Sequence, residues 1–214
     1  MLFGCILMDC LFIKIHPNNI TNFQYLKMKK VIKLRFLVVG LFFGLNLPVA
    51  LSQTGLKIVE KNVGFGMHTV QNRMIEAVIV HSVYNKSCGD KYDIDLIIKQ
   101  FSRYHVSSHY IIGRDGTIYQ LVKEKNISYQ AGHSQLPDGR TAVNSCSIGI
   151  ELVTTNDSLD SPTEKQIRSL VALVKDIKAR YKIKYVLRHS DIAPGRKTDP
   201  WNMNWEDFIR KIEN

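Results

Sequence analysis

A chain of 214 residues with 45% apolar composition has material for one domain of ordinary size around one core, which argues against two full domains. The formal net charge is +10, from 29 Lys and Arg against 19 Asp and Glu. A basic excess suits an anionic partner by long-range attraction, but with no clustered aromatics and no basic helix it gives no support to a nucleic-acid role.

The basic excess is concentrated near the start. Met28 opens the run MKKVIKLR, which has four cations in eight residues and no acid. The apolar stretch Phe36 to Leu51 follows, broken only by Asn46 and Pro48, with small residues at Ala50 and Ser52. Spanning a bilayer takes about 20 apolar residues, so the segment reads as a cleaved signal peptide rather than an anchor. Residues 1–52 are therefore read as a targeting region, with translation starting at Met28, the signal peptide over 28–52, and the mature domain over 53–214. The expectation is an exported protein, periplasmic or extracellular, with no stable membrane insertion after processing. Removing residues 1–52 leaves 23 cations against 18 acids, a charge near +5.

Within the mature region, Glu76 to His81 is a continuous apolar run with β-branched residues, the pattern of a strand covered on both faces. Asp93 to Tyr104 places Ile94, Ile97, Ile98 and Phe101 at helical spacing behind Asp93 as N-cap. His109 to Gly113, the turn Arg114-Asp115-Gly116 and Thr117 to Val122 read as a β-hairpin. Residues 126–146 read mostly as loop, and Ser147 to Val153 as another strand. Ser161-Pro-Thr-Glu164 has the form of a capping box opening a helix that runs to about Tyr181, with Ile167, Leu170, Val171, Val174 and Ile177 on one face. Tyr185 to His189 is a short strand, and Asn204 to Ile212 a closing helix. The fold class expected is α/β: a single domain with a central, mixed β-sheet flanked by helices.

Two cysteines, Cys88 and Cys146, remain in the mature region. An even count in an oxidising compartment invites a disulfide. Strand geometry opposes it, because Cys146 sits five strand residues, roughly 16 Å, from the site where Glu151 and His81 would meet.

His81 and His189 each end a strand, where side chains of an α/β sheet face the crevice that binds ligands. His189 to Pro200 also packs Lys197 and Asp199 into one loop, and Pro194-Gly195 supplies a turn that can bring Asp199 back toward His189. Two neutral imidazoles and a carboxylate, with a fourth position left to water, form a catalytic rather than a structural zinc set. A structural role for either lone histidine stays open on spacing alone. Glu151 lies on a strand face where Ser147 and Gly149 precede it. A carboxylate among central strands is costly unless paired or employed, and small neighbours would leave substrate space beside it. The alternative is a partly exposed edge-strand residue.

Five blocks in order, Val80-His81, Ser108 to Gly116, Ala131 to Ser134, Ser147 to Leu152 and His189 to Pro200, resemble the N-acetylmuramoyl-L-alanine amidase type 2 family, which includes peptidoglycan recognition proteins and phage amidases. The resemblance implies zinc (Zn2+) held by His81, His189 and Asp199, Glu151 activating water and Lys197 stabilising the oxyanion. It implies hydrolysis of the bond between the muramoyl lactyl group and L-alanine in peptidoglycan or muropeptides. A monomer is expected. Ser108, where relatives often carry tyrosine, and Asp199, where they carry cysteine, place the chain nearer the bacterial anhydromuramyl-peptide amidases. His133 and His109 are the candidate substrate contacts, with a structural role for His109 as its alternative. A peptidoglycan-binding module without catalysis is the competing function.

Overall fold

In the computed structural model, which describes residues 56–214, the two long apolar runs become adjacent central strands. The targeting region read from residues 1–52 lies outside the described residues. Strands β1 (Ile58–Glu60), β3 (Ala77–Val83), β4 (Tyr110–Ile112), β5 (Ile118–Gln120), β7 (Ser147–Val153) and β8 (Tyr185–Arg188) form one mixed sheet in the order β1-β5-β4-β7-β3-β8. Only the β4/β5 hairpin is antiparallel within it. β2 (Met67–His68) and β6 (Ile127–Ser128) make a separate antiparallel pair.

Both seven-residue strands are buried throughout, as strands covered on two faces must be. On one face Val78, Val80, Ile148, Ile150 and Leu152 pack against Leu170, Leu173, Val174 and Ile177 of helix α3 (Glu164–Arg180) and Phe208 and Ile212 of helix α5 (Trp205–Glu213). On the other, Val83, Ile111 and Val153 meet Ile97 and Phe101 of helix α1 (Ile94–Tyr104). Farther along that face Ala77 and Ile79 pack with Leu136, with Val143 from the one-turn helix α2 (Val143–Cys146), and with Ile192 from the short helix α4 (His189–Ile192). Each fully buried branched side chain is worth about 1.5–3 kcal/mol. These contacts supply the margin that lets polar groups sit buried between the two cores of the second face.

Asp93 caps α1 by accepting from the Leu96 amide, and Asn204 caps α5 by accepting from Asp207. The hairpin turn is closed by Gly116 at φ 86°, whose amide bonds the Gly113 carbonyl. An added Cβ there would lie 3.0 Å from the Lys165 carbonyl oxygen, so the position calls for glycine on both counts.

The capping box of α3 is shifted from its expected place. Thr163, not Ser161, is the cap: its hydroxyl accepts from the Gln166 amide, and the Gln166 side chain accepts from the Thr163 amide. Thr163-Glu-Lys-Gln166 also satisfies the capping pattern. Burial decides between the two, because the Gln166 amide reaches into the core and donates to the Ile112 and Val153 carbonyls. Cys88 and Cys146 are free thiols, the first exposed and the second half-buried.

Candidate metal centre and cleft

Parallel pairing of β3 with β7 sets His81 opposite Glu151, so strand register alone places the imidazole beside the carboxylate. β8 pairs with β3 as far as Arg188, and His189 follows at once as the first residue of α4. The loop after α4 turns through Gly195 at φ 75° and returns Asp199 to the same point. The Asp199 carbonyl accepts from the Ser190 amide, and its carboxylate accepts from the Ser82 amide at 3.3 Å.

The three side chains, all buried, converge through single atoms. His81 Nδ1 lies 2.9 Å from His189 Nδ1, and Asp199 Oδ2 lies 3.1 Å from His189 Nδ1 and 3.6 Å from His81 Nδ1. Zinc with bonds of 2.0–2.1 Å at tetrahedral angles spaces its ligands by about 3.3 Å, so these separations match three corners of such a site. Donor chemistry agrees. His189 Nε2 faces the Ala131 carbonyl at 3.2 Å and must donate to it, which leaves Nδ1 as a bare lone pair. His81 Nε2 donates to Gln130 Oε1. With both rings neutral, two lone pairs and a carboxylate point at one another without a proton between them, an arrangement that a bound cation satisfies.

Ionisation favours the same state. Burial pushes His81 down to about 4, aided by the charge of His189 and opposed by Asp199, so the ring is neutral near pH 7. Burial alone would raise the Asp199 carboxyl, but its place against His189 and His81 holds it far below the usual carboxylate range, so it is an anion beside the two rings. Glu151 behaves oppositely. Burial first, and then the nearby Asp199 charge, raise its proton affinity well above the ordinary value, with Lys197 opposing. Its Oε2 is buried without a hydrogen-bond partner. A carboxyl oxygen left unpaired next to a metal-type cluster is a group available for proton transfer.

This cluster floors a cleft of about 530 Å³ walled by Tyr84, Lys86, Tyr129, Asn144, Lys197 and Trp201, with Tyr84 and Trp201 packed edge-to-face at 5.9 Å between ring centroids. His81, His189, Asp199, Glu151 and Lys197 all border it. His133 is exposed and lies beside the cleft-lining Gly132 without itself lining the cleft; its carbonyl accepts from Arg196.

His109 is fully buried and away from the cleft, which corrects the expected substrate contact. Its Nδ1 accepts from the Gly149 amide at 3.1 Å and bonds Ser128 Oγ at 2.8 Å, while Nε2 faces the Asn126 carbonyl. The ring thus stitches β4 to β6 and β7. Burial, then the Arg73 charge, hold it down to about 3. The unfolded chain takes up this proton near pH 6.5 and the folded chain only near 3, so folding stability falls as pH drops through that window. The loss expected from this residue is about 1.4 kcal/mol per pH unit. Urea unfolding of wild type and His109→Gln between pH 6 and 4 measures it, and the variant should show the shallower slope.

The space beside Glu151 also differs from expectation. Ser147 and Gly149 make room not for substrate but for Gln130: a Cβ on Gly149 would lie 2.6 Å from Gln130 Cγ, and Gln130 Nε2 donates to Ser147 Oγ. Sequence reasoning passed over Gln130, although it directly precedes the Ala131 to Ser134 block and complements the small-residue face of β7.

A mixed α/β sheet that brings two histidines and a carboxylate together at its parallel strand ends has the donor set of a possible metal site with an open position. Residues 71–202 match the family described as N-acetylmuramoyl-L-alanine amidase, and the chain belongs to it. It is 39% identical over 124 residues to N-acetylmuramoyl-L-alanine amidase AmiD of Escherichia coli (strain K12), covering 50% of this chain and 45% of that protein. To 1,6-anhydro-N-acetylmuramyl-L-alanine amidase AmpD of the same organism it is 41% identical over 103 residues, covering 47% and 55%. The chain thus spans about half the length of the curated relatives it matches. Among solved structures, a selenomethionine derivative of AmpD superposes with TM-score 0.61 at 25% identity, over 72% of this chain and 94% of that one. The E. coli AmiD complex with anhydro-N-acetylmuramic acid-L-Ala-D-gamma-Glu-L-Lys superposes with TM-score 0.55 at 31% identity, over 67% and 60%.

Proposed function

We propose that this protein is a zinc-dependent N-acetylmuramoyl-L-alanine amidase that hydrolyses the amide between the muramoyl lactyl group and L-alanine of peptidoglycan or its muropeptide fragments. The observation that carries the reading is the convergence of His81 Nδ1, His189 Nδ1 and Asp199 Oδ2 next to the unpaired Glu151 Oε2. Zinc held by those three atoms would supply Lewis acidity toward both the attacking water and the amide carbonyl.

The chain's own groups do the rest. Glu151, with raised proton affinity, takes a proton from water as its oxygen bonds to the carbonyl carbon, and returns that proton to the departing L-alanine nitrogen as the C–N bond breaks. Lys197 places a cation by the cleft where negative charge develops on the carbonyl oxygen, favouring the transition state over the ground state. The aromatic wall of Tyr84 and Trp201 gives the substrate an apolar surface to lie against. The signal-like segment at 28–52 supports action on wall polymer outside the cytoplasm.

The test is the product. Purified protein incubated with sacculi and with anhydro-muropeptides should release intact stem peptides beginning with L-alanine, seen by mass spectrometry, and a chelator should stop release until zinc is restored. Cleavage within the stem peptide would assign a different zinc hydrolase. Tight binding to sacculi without product would assign a recognition module.

A further inference from the structure

Gln130 takes no part in the reaction above, yet among the described residues it is the side chain that bonds His81 on the ring edge opposite the cluster. We propose that Gln130 is a positioning residue that sets the tautomer of His81, through a relay from the Val143 carbonyl by way of the Ser147 hydroxyl, and so keeps His81 Nδ1 open for metal.

The polarity of the relay follows from its fixed end. The Val143 carbonyl can only accept, so Ser147 Oγ donates to it at 2.7 Å. The hydroxyl lone pair then accepts from Gln130 Nε2 at 2.8 Å, which turns Gln130 Oε1 toward the ring. An oxygen facing His81 Nε2 requires the proton on that nitrogen and leaves Nδ1 bare. The loop itself is pinned: Asn144 Oδ1 accepts from the amides of both Gln130 and Ala131, at 3.2 and 2.9 Å. Ala131 in turn supplies the carbonyl that sets the His189 tautomer, so adjacent residues of one loop order both rings.

The competing state shows why an acceptor is needed at this point. With its proton on Nδ1, His81 could donate to His189 Nδ1 at 2.9 Å or to Asp199 Oδ2 at 3.6 Å and satisfy the cluster internally. That arrangement occupies the lone pair a metal requires. Gln130 opposes it by making the Nε2 proton the better satisfied one.

The inference rests on the metal reading above, and the experiment separates the two. Zinc affinity is measured by chelator competition for wild type, Gln130→Met, which keeps the length and loses the acceptor, and Gln130→Glu, which restores an acceptor. Partners that orient a ligating histidine typically contribute about 10- to 100-fold in affinity, so Gln130→Met should bind that much more weakly and Gln130→Glu no more weakly than wild type. Nitrogen NMR of the metal-free proteins should show His81 protonated at Nε2 in wild type and shifted toward Nδ1 in Gln130→Met. Ser147→Ala, which frees the amide to rotate, should move both readouts in the same direction, and it decides the matter if Gln130→Met does not fold. Unchanged affinity and tautomer in the variants, or equal weakening by Met and Glu, overturns the role. A wild type that binds no zinc overturns the metal reading instead.

Discussion

Glu151→Gln is expected to lower amidase turnover by about 10² to 10⁴-fold, the range for loss of a general base, while bound zinc stays at the wild-type level. The substitution preserves shape and hydrogen-bonding capacity but removes the ability to accept a proton. It also removes a buried carboxyl that sits without a partner on Oε2, so the folded protein should tolerate it. The glutamate is no part of the converging donor set, which consists of His81, His189 and Asp199. The measurement pairs zinc content with release of stem peptide from anhydro-muropeptides. Loss of metal in this variant would make Glu151 a ligand and displace Asp199 from that role. Near-wild-type turnover would leave Glu151 structural and move water activation to another group.

His81→Ala and His189→Ala are expected to behave differently, with zinc and activity lost together. Each removes one of the three donors that converge among the described residues, and the remaining pair, one imidazole and Asp199, is too few to hold the ion in an open site. The effect on turnover should be at least as large as that of Glu151→Gln. Thermal unfolding gives a second readout. At zinc 100-fold above its dissociation constant wild type should gain about 2.7 kcal/mol of stability, and the alanine variants essentially none. Turnover in either variant at the wild-type rate would remove the metal from the mechanism.

The positions of the chemistry were legible in the chain because they depend on local pattern. A run such as Val78-Ile-Val-His81 states, by its lack of alternation, that it is buried on both faces, and a histidine at its end then faces the crevice. The same holds for Ser147 to Val153, where Glu151 stands out as the one carboxylate in a buried strand. Caps at Asp93 and Asn204 and the Asp-Gly turn are likewise short-range chemistry. The order of the five blocks, through their resemblance to an amidase family, carries the reading from candidate ligands to a reaction.

What the tertiary structure alone decided are the choices between locally equivalent partners. Thr163 and Ser161 both head a capping pattern, and only the burial of Gln166 against the Ile112 and Val153 carbonyls selects the first. The small-residue face of β7 announced a space but not its occupant, since Gln130 arrives from a loop 17 residues before Ser147. His109 carries the same side chain as His81, yet one is tied to the Gly149 amide, the Asn126 carbonyl and the Ser128 hydroxyl and the other opens on a cleft. The protonation pattern of the metal cluster is of the same kind, because His81 and His189 are 108 residues apart and each takes its tautomer from an acceptor on a third segment. Periodicity and capping are set by neighbours within a turn or a strand, whereas which buried donor meets which acceptor is set by the packing of segments distant in sequence.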